Sequence, residues 1–185
     1  MELNGKMMNK EYIKIVLIVL QITLALLYDI HEYKIRNYIP FTFILLGIIY
    51  HLVFEDAANF YGGLLGLSIP FILLFPLYSL KMLGAGDIKL LCSIGVLLGP
   101  SDILTSIFYS FFFGGILALL IMACRKNLIS RLRKLLFYFR SCVLTMSITP
   151  YEEVDGSHPA RMHFSIPIAL GVLAVHYIKL RGGMA

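Results

Sequence analysis

Charged residues are scarce in this sequence. They make up 15% of its 185 residues, whereas 59% are hydrophobic, and soluble domains usually have about 25% charged and 45–50% apolar residues. This balance argues against a soluble domain and indicates a chain that is surrounded by lipid. The formal net charge is +5. In a chain this apolar we expect basic residues in cytoplasmic loops rather than on a nucleic-acid-binding surface.

Cysteine is also rare and shows no ligand pattern. Cys92, Cys124 and Cys142 are isolated and form no Cys-x-x-Cys pair, which excludes a disulfide framework or a thiolate zinc site. His158 and His163 have no carboxylate at a recognisable ligand spacing. We therefore expect no metal and no cofactor.

Long apolar runs are what the sequence has in abundance. Five of them approach the 20 or so helical residues that cross a hydrocarbon core about 30 Å thick, at residues 12–27, 38–54, 61–80, 103–123 and 164–178. A sixth, residues 88–98, is about half that length. No linker separates the runs. The sequence predicts a single all-α, polytopic membrane domain over residues 1–185, with about six transmembrane helices, one of them short or broken.

Three further features refine this topology. Pro70 and Pro76 predict a kink or break in the third helix. Tyr28 and Asp29 end the first run where a signal peptide would have a small-residue cleavage site, so we expect that helix in the mature protein. Residues 125–147 combine basic side chains with leucines at spacings of three and four, which predicts an amphipathic interfacial helix.

The distribution of basic residues predicts an orientation. With the N-terminus outside, eleven of the sixteen Lys and Arg residues lie on the cytoplasmic side, as the positive-inside rule requires. Asp29 and Asp87 then both lie at the cytoplasmic boundary of the membrane.

Acidic residues near hydrocarbon are costly and suggest function. Asp102 follows a Gly-Pro-Ser turn and is expected to be a solvated helix cap. Asp87 instead follows Gly84 and Gly86, and glycine permits a positive φ and the close approach of a substrate backbone.

Two neighbouring aspartates can cleave a peptide with water alone. Like charges at close range cannot both persist, so one carboxyl remains protonated while the other deprotonates the water. The sequence leaves open which of Asp29 and Asp87 holds the proton. Lys89 would favour the charged form of Asp87 if its ammonium group lay nearby.

Three stretches carry a family resemblance. Residues 28–40 begin with Tyr28-Asp29, residues 84–90 read Gly-Ala-Gly-Asp-Ile-Lys-Leu, and residues 164–171 read Phe-Ser-Ile-Pro-Ile-Ala-Leu-Gly. Together they resemble the type IV prepilin peptidases, GxGD aspartic peptidases, in the small form that lacks the N-terminal methylating domain. Arg36 stands where that family usually has proline.

The resemblance implies an aspartic endopeptidase that removes the basic leader from prepilin-like precursors. It makes Asp29 and Asp87 the catalytic pair and Gly84, Gly86 and Lys89 the motif that the substrate approaches. It also implies a multi-pass protein of a prokaryotic cell membrane, with the lipid bilayer as partner and the active site facing the cytoplasm. The cysteine pairs of the longer relatives are absent, so we expect no methyltransferase activity. The oligomeric state is left open.

Two alternatives use the same aspartates. Presenilin-like or signal-peptide-peptidase-like proteases share paired aspartate motifs, but their Pro-Ala-Leu tripeptide is interrupted here by Ile168. A small proton or ion transporter is the alternative from another class, although no inverted repeat is visible. His31, Glu32, Lys34 and Arg36 are interpreted as solvated residues of the first loop.

Overall fold

A computed structural model describes residues 2–32, 36–80, 82–124, 133 and 163–182. Regular structure in these ranges is helical, which confirms the predicted all-α class. The helices are α1 (Glu2–Glu32), α2 (Tyr38–Phe54), α3 (Ala57–Ser79), α4 (Ala85–Leu98), α5 (Pro100–Cys124) and α6 (Ser165–Gly182). Apart from residue 133, the predicted amphipathic segment 125–147 lies outside the described residues.

Several helices have the length and apolarity of membrane spans. Within the described ranges, three segments qualify on both counts: Lys10–Glu32, Ala57–Ser79 and Pro100–Cys124. Helix α2 is apolar but shorter. Many large apolar side chains on these helices point outward, among them Leu52, Ile72 and Phe108, each about two-thirds exposed. Such a surface would be a liability in water and is the expected surface of a protein in lipid.

The first and third helices differ from the prediction. Helix α1 continues to Glu32, so His31 and Glu32 belong to its last turn and not to a loop. Helix α3 is continuous through Pro70 and Pro76, so of the predicted kink or break the break does not occur. Pro70 leaves the carbonyl of Gly66 without its usual intrahelical donor. That carbonyl packs tightly against Gly95 of α4, which favours a continuous helix.

Helix α4 forms the centre of the bundle. Its 14 residues span about 21 Å, and residues 90–97 are all buried. It packs against α3, α2, α5 and α1. Gly66 of α3 and Gly95 of α4 meet so closely that a Cβ on either would lie 2.1 Å from the other's carbonyl oxygen. Small residues at this crossing let the two backbones approach.

Helices α5 and α6 pack antiparallel. Phe164, just before α6, packs on Gly114 of α5, and Lys179 near the end of α6 forms an ion pair with Asp102 in the first turn of α5. Asp102 is therefore a salt-bridge partner, and not the solvated cap that the sequence predicted. The carboxylate is available to lysine because Pro100 already begins the helix.

Successive helices alternate in direction along the chain. The C-terminal end of α1 and the N-terminal ends of α4 and α6 therefore lie at one end of the bundle. Contacts there include a hydrogen bond from Ser165 to Asp29 and another from Lys89 to Asn37. Both predicted catalytic aspartates belong to this end.

Candidate active site

Asp29 faces the interior of the bundle from the last turns of α1. Gln21, Ala25 and Asp29 are spaced by four residues and therefore share one face of the helix. All three are buried, and Asp29 is the acidic residue among them. Two turns from Asp29, the Gln21 amide donates a hydrogen bond to Ser93 of α4. This buried bond links the two helices that carry the candidate catalytic residues.

Asp87 lies in the first turn of α4, three residues after the N-cap residue Gly84. A carboxylate at this position reaches back to the N-cap backbone, and Asp87 has a hydrogen bond with the backbone of Gly84. Its side chain also interacts electrostatically with Asp29. The fold therefore places two carboxyl groups that are 58 positions apart in the sequence within electrostatic range of each other.

Gly84 serves this arrangement in a way that the sequence analysis did not predict. Its φ is −73° and its ψ 142°, so Gly84 does not adopt the positive φ that glycine permits. A Cβ here would lie 2.9 Å from Oδ2 of Asp87. The absence of a side chain thus makes room for the carboxylate of the same turn. Gly86 is an internal residue of α4, and among the glycines the structure describes only Gly99 has a positive φ.

Lys89 does not support the charge of Asp87. Its ammonium group donates a hydrogen bond to Oδ1 of Asn37 at 3.0 Å and lies 5.5 Å from the centroid of the Phe41 ring. The side chain is directed to α2, on the far side of α4 from the carboxylates, because residues two apart on a helix point in divergent directions. Lys89 therefore connects α4 to α2.

The turn from α1 to α2 is supported by Arg36, the residue that departs from the family's proline. Its guanidinium group donates to both carboxylate oxygens of Glu32, at 2.9 and 2.6 Å, and lies 5.5 Å from the centroid of the Tyr28 ring. Tyr28 in turn packs edge-on against Tyr38. An ion pair and aromatic contacts thus stabilise this turn beside Asp29.

Two contacts of Asp29 were missed by the sequence analysis. Ser165, the first residue of α6, donates a hydrogen bond to Oδ2, and Nδ1 of His163 lies 3.6 Å from Oδ1. The sequence signal was the resemblance of residues 164–171 to a family helix start, but nothing in that stretch indicates contact with Asp29. Within the described ranges, no group of three or more His, Cys, Asp or Glu side chains could hold a metal ion.

Residues 15–119, more than half of the chain, match the type IV leader peptidase family. The chain belongs to that family. The matched region contains α2, α3 and α4 in full, together with Asp29 and Asp87. Among curated proteins and solved structures, no significant match was found.

Membership of the type IV leader peptidase family makes the protein a leader-peptidase-like protease and confirms the family that the sequence motifs resembled. It favours proteolysis over the transporter alternative, which used the same aspartates. Ser165, the first residue of α6, and His163, two residues before it, lie beyond the matched region.

Proposed function

We propose that this protein is an aspartic endopeptidase that removes the basic leader from prepilin-like precursors, with Asp29 and Asp87 as its catalytic pair. The observation that carries the proposal is that these two carboxyl groups, from α1 and α4, lie at one end of a helical bundle and interact electrostatically. Membership of a peptidase family supplies the reaction class.

The chemistry requires two carboxyl groups in different protonation states. At short range two like charges repel, so the pair shares a proton and titrates as a unit. The unprotonated carboxyl accepts a proton from a water molecule, which attacks the scissile carbonyl carbon, and the protonated carboxyl donates to the carbonyl oxygen. Collapse of the tetrahedral intermediate breaks the C–N bond, and the leaving nitrogen takes up the proton that the water released. One hydroxyl group of the intermediate returns its proton to the second carboxyl, which restores the pair and gives the carboxylic acid product. No metal or covalent intermediate takes part in this scheme.

The site's position suits a substrate held at a membrane surface. Helix α4 is about two-thirds as long as the hydrocarbon core is thick, so it cannot cross the core alone, and we propose that its N-terminal end, with Asp87, lies within the membrane depth. A precursor would keep its apolar segment in the bilayer and its basic leader in the cytoplasm. We propose that this end of the bundle faces the cytoplasm of a prokaryotic cell, as the distribution of basic residues predicts.

The orientation has its own test. In a cysteine-free background, a single thiol introduced by Ser130→Cys should react with a membrane-impermeant reagent only when that reagent reaches the cytoplasm. Labelling from outside intact cells would reverse the proposed orientation.

The catalytic pair is tested with Asp29→Asn and Asp87→Asn, alone and together. Asparagine nearly matches aspartate in shape, and its carbonyl can still accept the hydrogen bond from Ser165. However, it cannot accept the proton of the attacking water or cycle between charged and neutral forms. We expect each single variant to lose cleavage of a prepilin-like precursor while remaining folded. The double variant should be no worse, because groups that act as one unit are non-additive.

Asp102→Asn is the matched control. Like Asp87, Asp102 belongs to the first turn of a helix, but it forms an ion pair with Lys179 and lies at the opposite end of the bundle. This variant should keep full activity and lose at most about 1 kcal/mol of stability. Substantial cleavage by either single variant of the pair would remove that aspartate from the mechanism.

A further inference from the structure

The start of α6 brings two side chains to the two carboxylate oxygens of Asp29. Ser165 is 1% exposed, and its hydroxyl group donates to Oδ2. His163 Nδ1 lies 3.6 Å from Oδ1, too far for a hydrogen bond but within ion-pair range when the imidazole is protonated. We propose that Ser165 is a positioning residue for Asp29, an inference that rests on the proposed function.

The place of Ser165 in its helix explains why its hydroxyl reaches another helix. Serines inside a helix commonly bond to the carbonyl four residues earlier, as Ser68, Ser79 and Ser110 do here. Ser165 is the first residue of α6, so no preceding turn of that helix offers it such a carbonyl. Its hydroxyl group is directed to the carboxylate of α1 instead.

Tight packing fixes the position of α6, and therefore of Ser165. A Cβ on Gly171 would lie 2.6 Å from the carbonyl oxygen of Ser106 and 2.8 Å from the backbone nitrogen of Ser110. Gly114 is similarly close to Phe164, next to Ser165 in the chain. The backbones of α5 and α6 are in close contact, so the serine is held by helix packing.

A fixed donor restricts rotation of the Asp29 carboxyl group. Each carboxylate oxygen has two lone pairs, so Oδ2 can accept from Ser165 and still face the attacking water. In this scheme the serine hydroxyl contacts neither the substrate nor the attacking water and acts through Asp29. Its contribution is to keep the carboxylate in the orientation that the reaction needs, which reduces the loss of freedom on reaching the transition state.

The experiment compares Ser165→Ala with Ser110→Ala on purified protein cleaving a prepilin-like precursor. Both serines are buried, but Ser110 bonds only within its own helix, to Ser106. Loss of the positioning bond should lower kcat on the order of 10- to 100-fold and leave KM unchanged. Ser110→Ala should keep the wild-type kcat. Ser165→Cys keeps a side chain of the same shape, slightly larger, with a much weaker donor, and it should fold and lose kcat as well.

The outcomes separate this inference from the proposed function. If the wild-type protein cleaves no precursor, the proposed function fails, and the inference fails with it. If the wild type cleaves and a folded Ser165→Ala variant has the same kcat, only the positioning role is overturned. A loss confined to KM, or a loss of kcat equal to that of Ser110→Ala, also overturns it, because either would indicate general packing.

Discussion

Replacing Gly84 by alanine tests how the GxGD motif works. The backbone angles of Gly84 suit any residue, so alanine adds no backbone strain. Its Cβ would lie 2.9 Å from Oδ2 and 3.8 Å from Cγ of Asp87. Ordinary contact begins near 3.4 Å, so the carboxylate must move by roughly half an ångström. Catalytic groups tolerate displacements of about that size at most.

The expected effect is therefore on catalysis and not on the fold. A carboxylate at the end of a flexible side chain can move at little cost, so Gly84→Ala should change the free energy of unfolding by about 1 kcal/mol or less. A displacement near 1 Å costs on the order of 100-fold in rate, and half that distance should lower kcat by about tenfold. KM should be unchanged, because the methyl group acts on Asp87 and not on the substrate.

The assay is precursor cleavage under steady-state conditions, with thermal unfolding measured on the same preparations. Gly115→Ala is the matched control, because a Cβ there meets no atom within 4 Å, and it should cleave like the wild type. A raised KM with unchanged kcat would refute our reasoning. It would show that Gly84 makes room for the substrate backbone, as the motif alone suggested.

Three further predictions concern Lys89, Gly66 and the basic leader of the precursor. Lys89→Gln should weaken the link to α2 by about 1 kcal/mol while keeping most of kcat. If this variant lost as much kcat as Asp87→Asn in the same cleavage assay, the ammonium group would take part in the chemistry. Gly66→Ala should destabilise the bundle by about 1–3 kcal/mol and lower the unfolding temperature, because its Cβ would meet the backbone of α4. Gly62→Ala is the control: the nearest neighbour of its Cβ is at 4.0 Å, so the unfolding temperature should not fall. Changing the leader's basic residues to glutamate should slow cleavage by repulsion from the unprotonated carboxyl, and an unchanged rate would argue against an electrostatic contribution to leader recognition.

The sequence alone predicted the membrane environment, the helical class and the family, because these depend on the length of apolar runs and on short local motifs. It also selected Asp29 and Asp87 as the candidate pair, because their motifs and their predicted place on the same side of the membrane are visible in the sequence. The limits of α2 were predicted without error. Asp102 shows where local patterns fail, because its lysine partner lies 77 positions away in the chain.

The tertiary structure decided which groups surround the aspartates. Ser165 reaches Asp29 across 136 positions of sequence, and only the packing of α6 on α5 brings them together. Gly84 and Lys89 belong to a motif that is visible in the sequence. Their contacts, however, depend on the directions in which the side chains of Asp87 and Lys89 point at the start of α4. Local sequence determines that a turn of helix forms. Which neighbours each of its faces meets is determined by helix packing, whose close contacts join residues far apart in the chain.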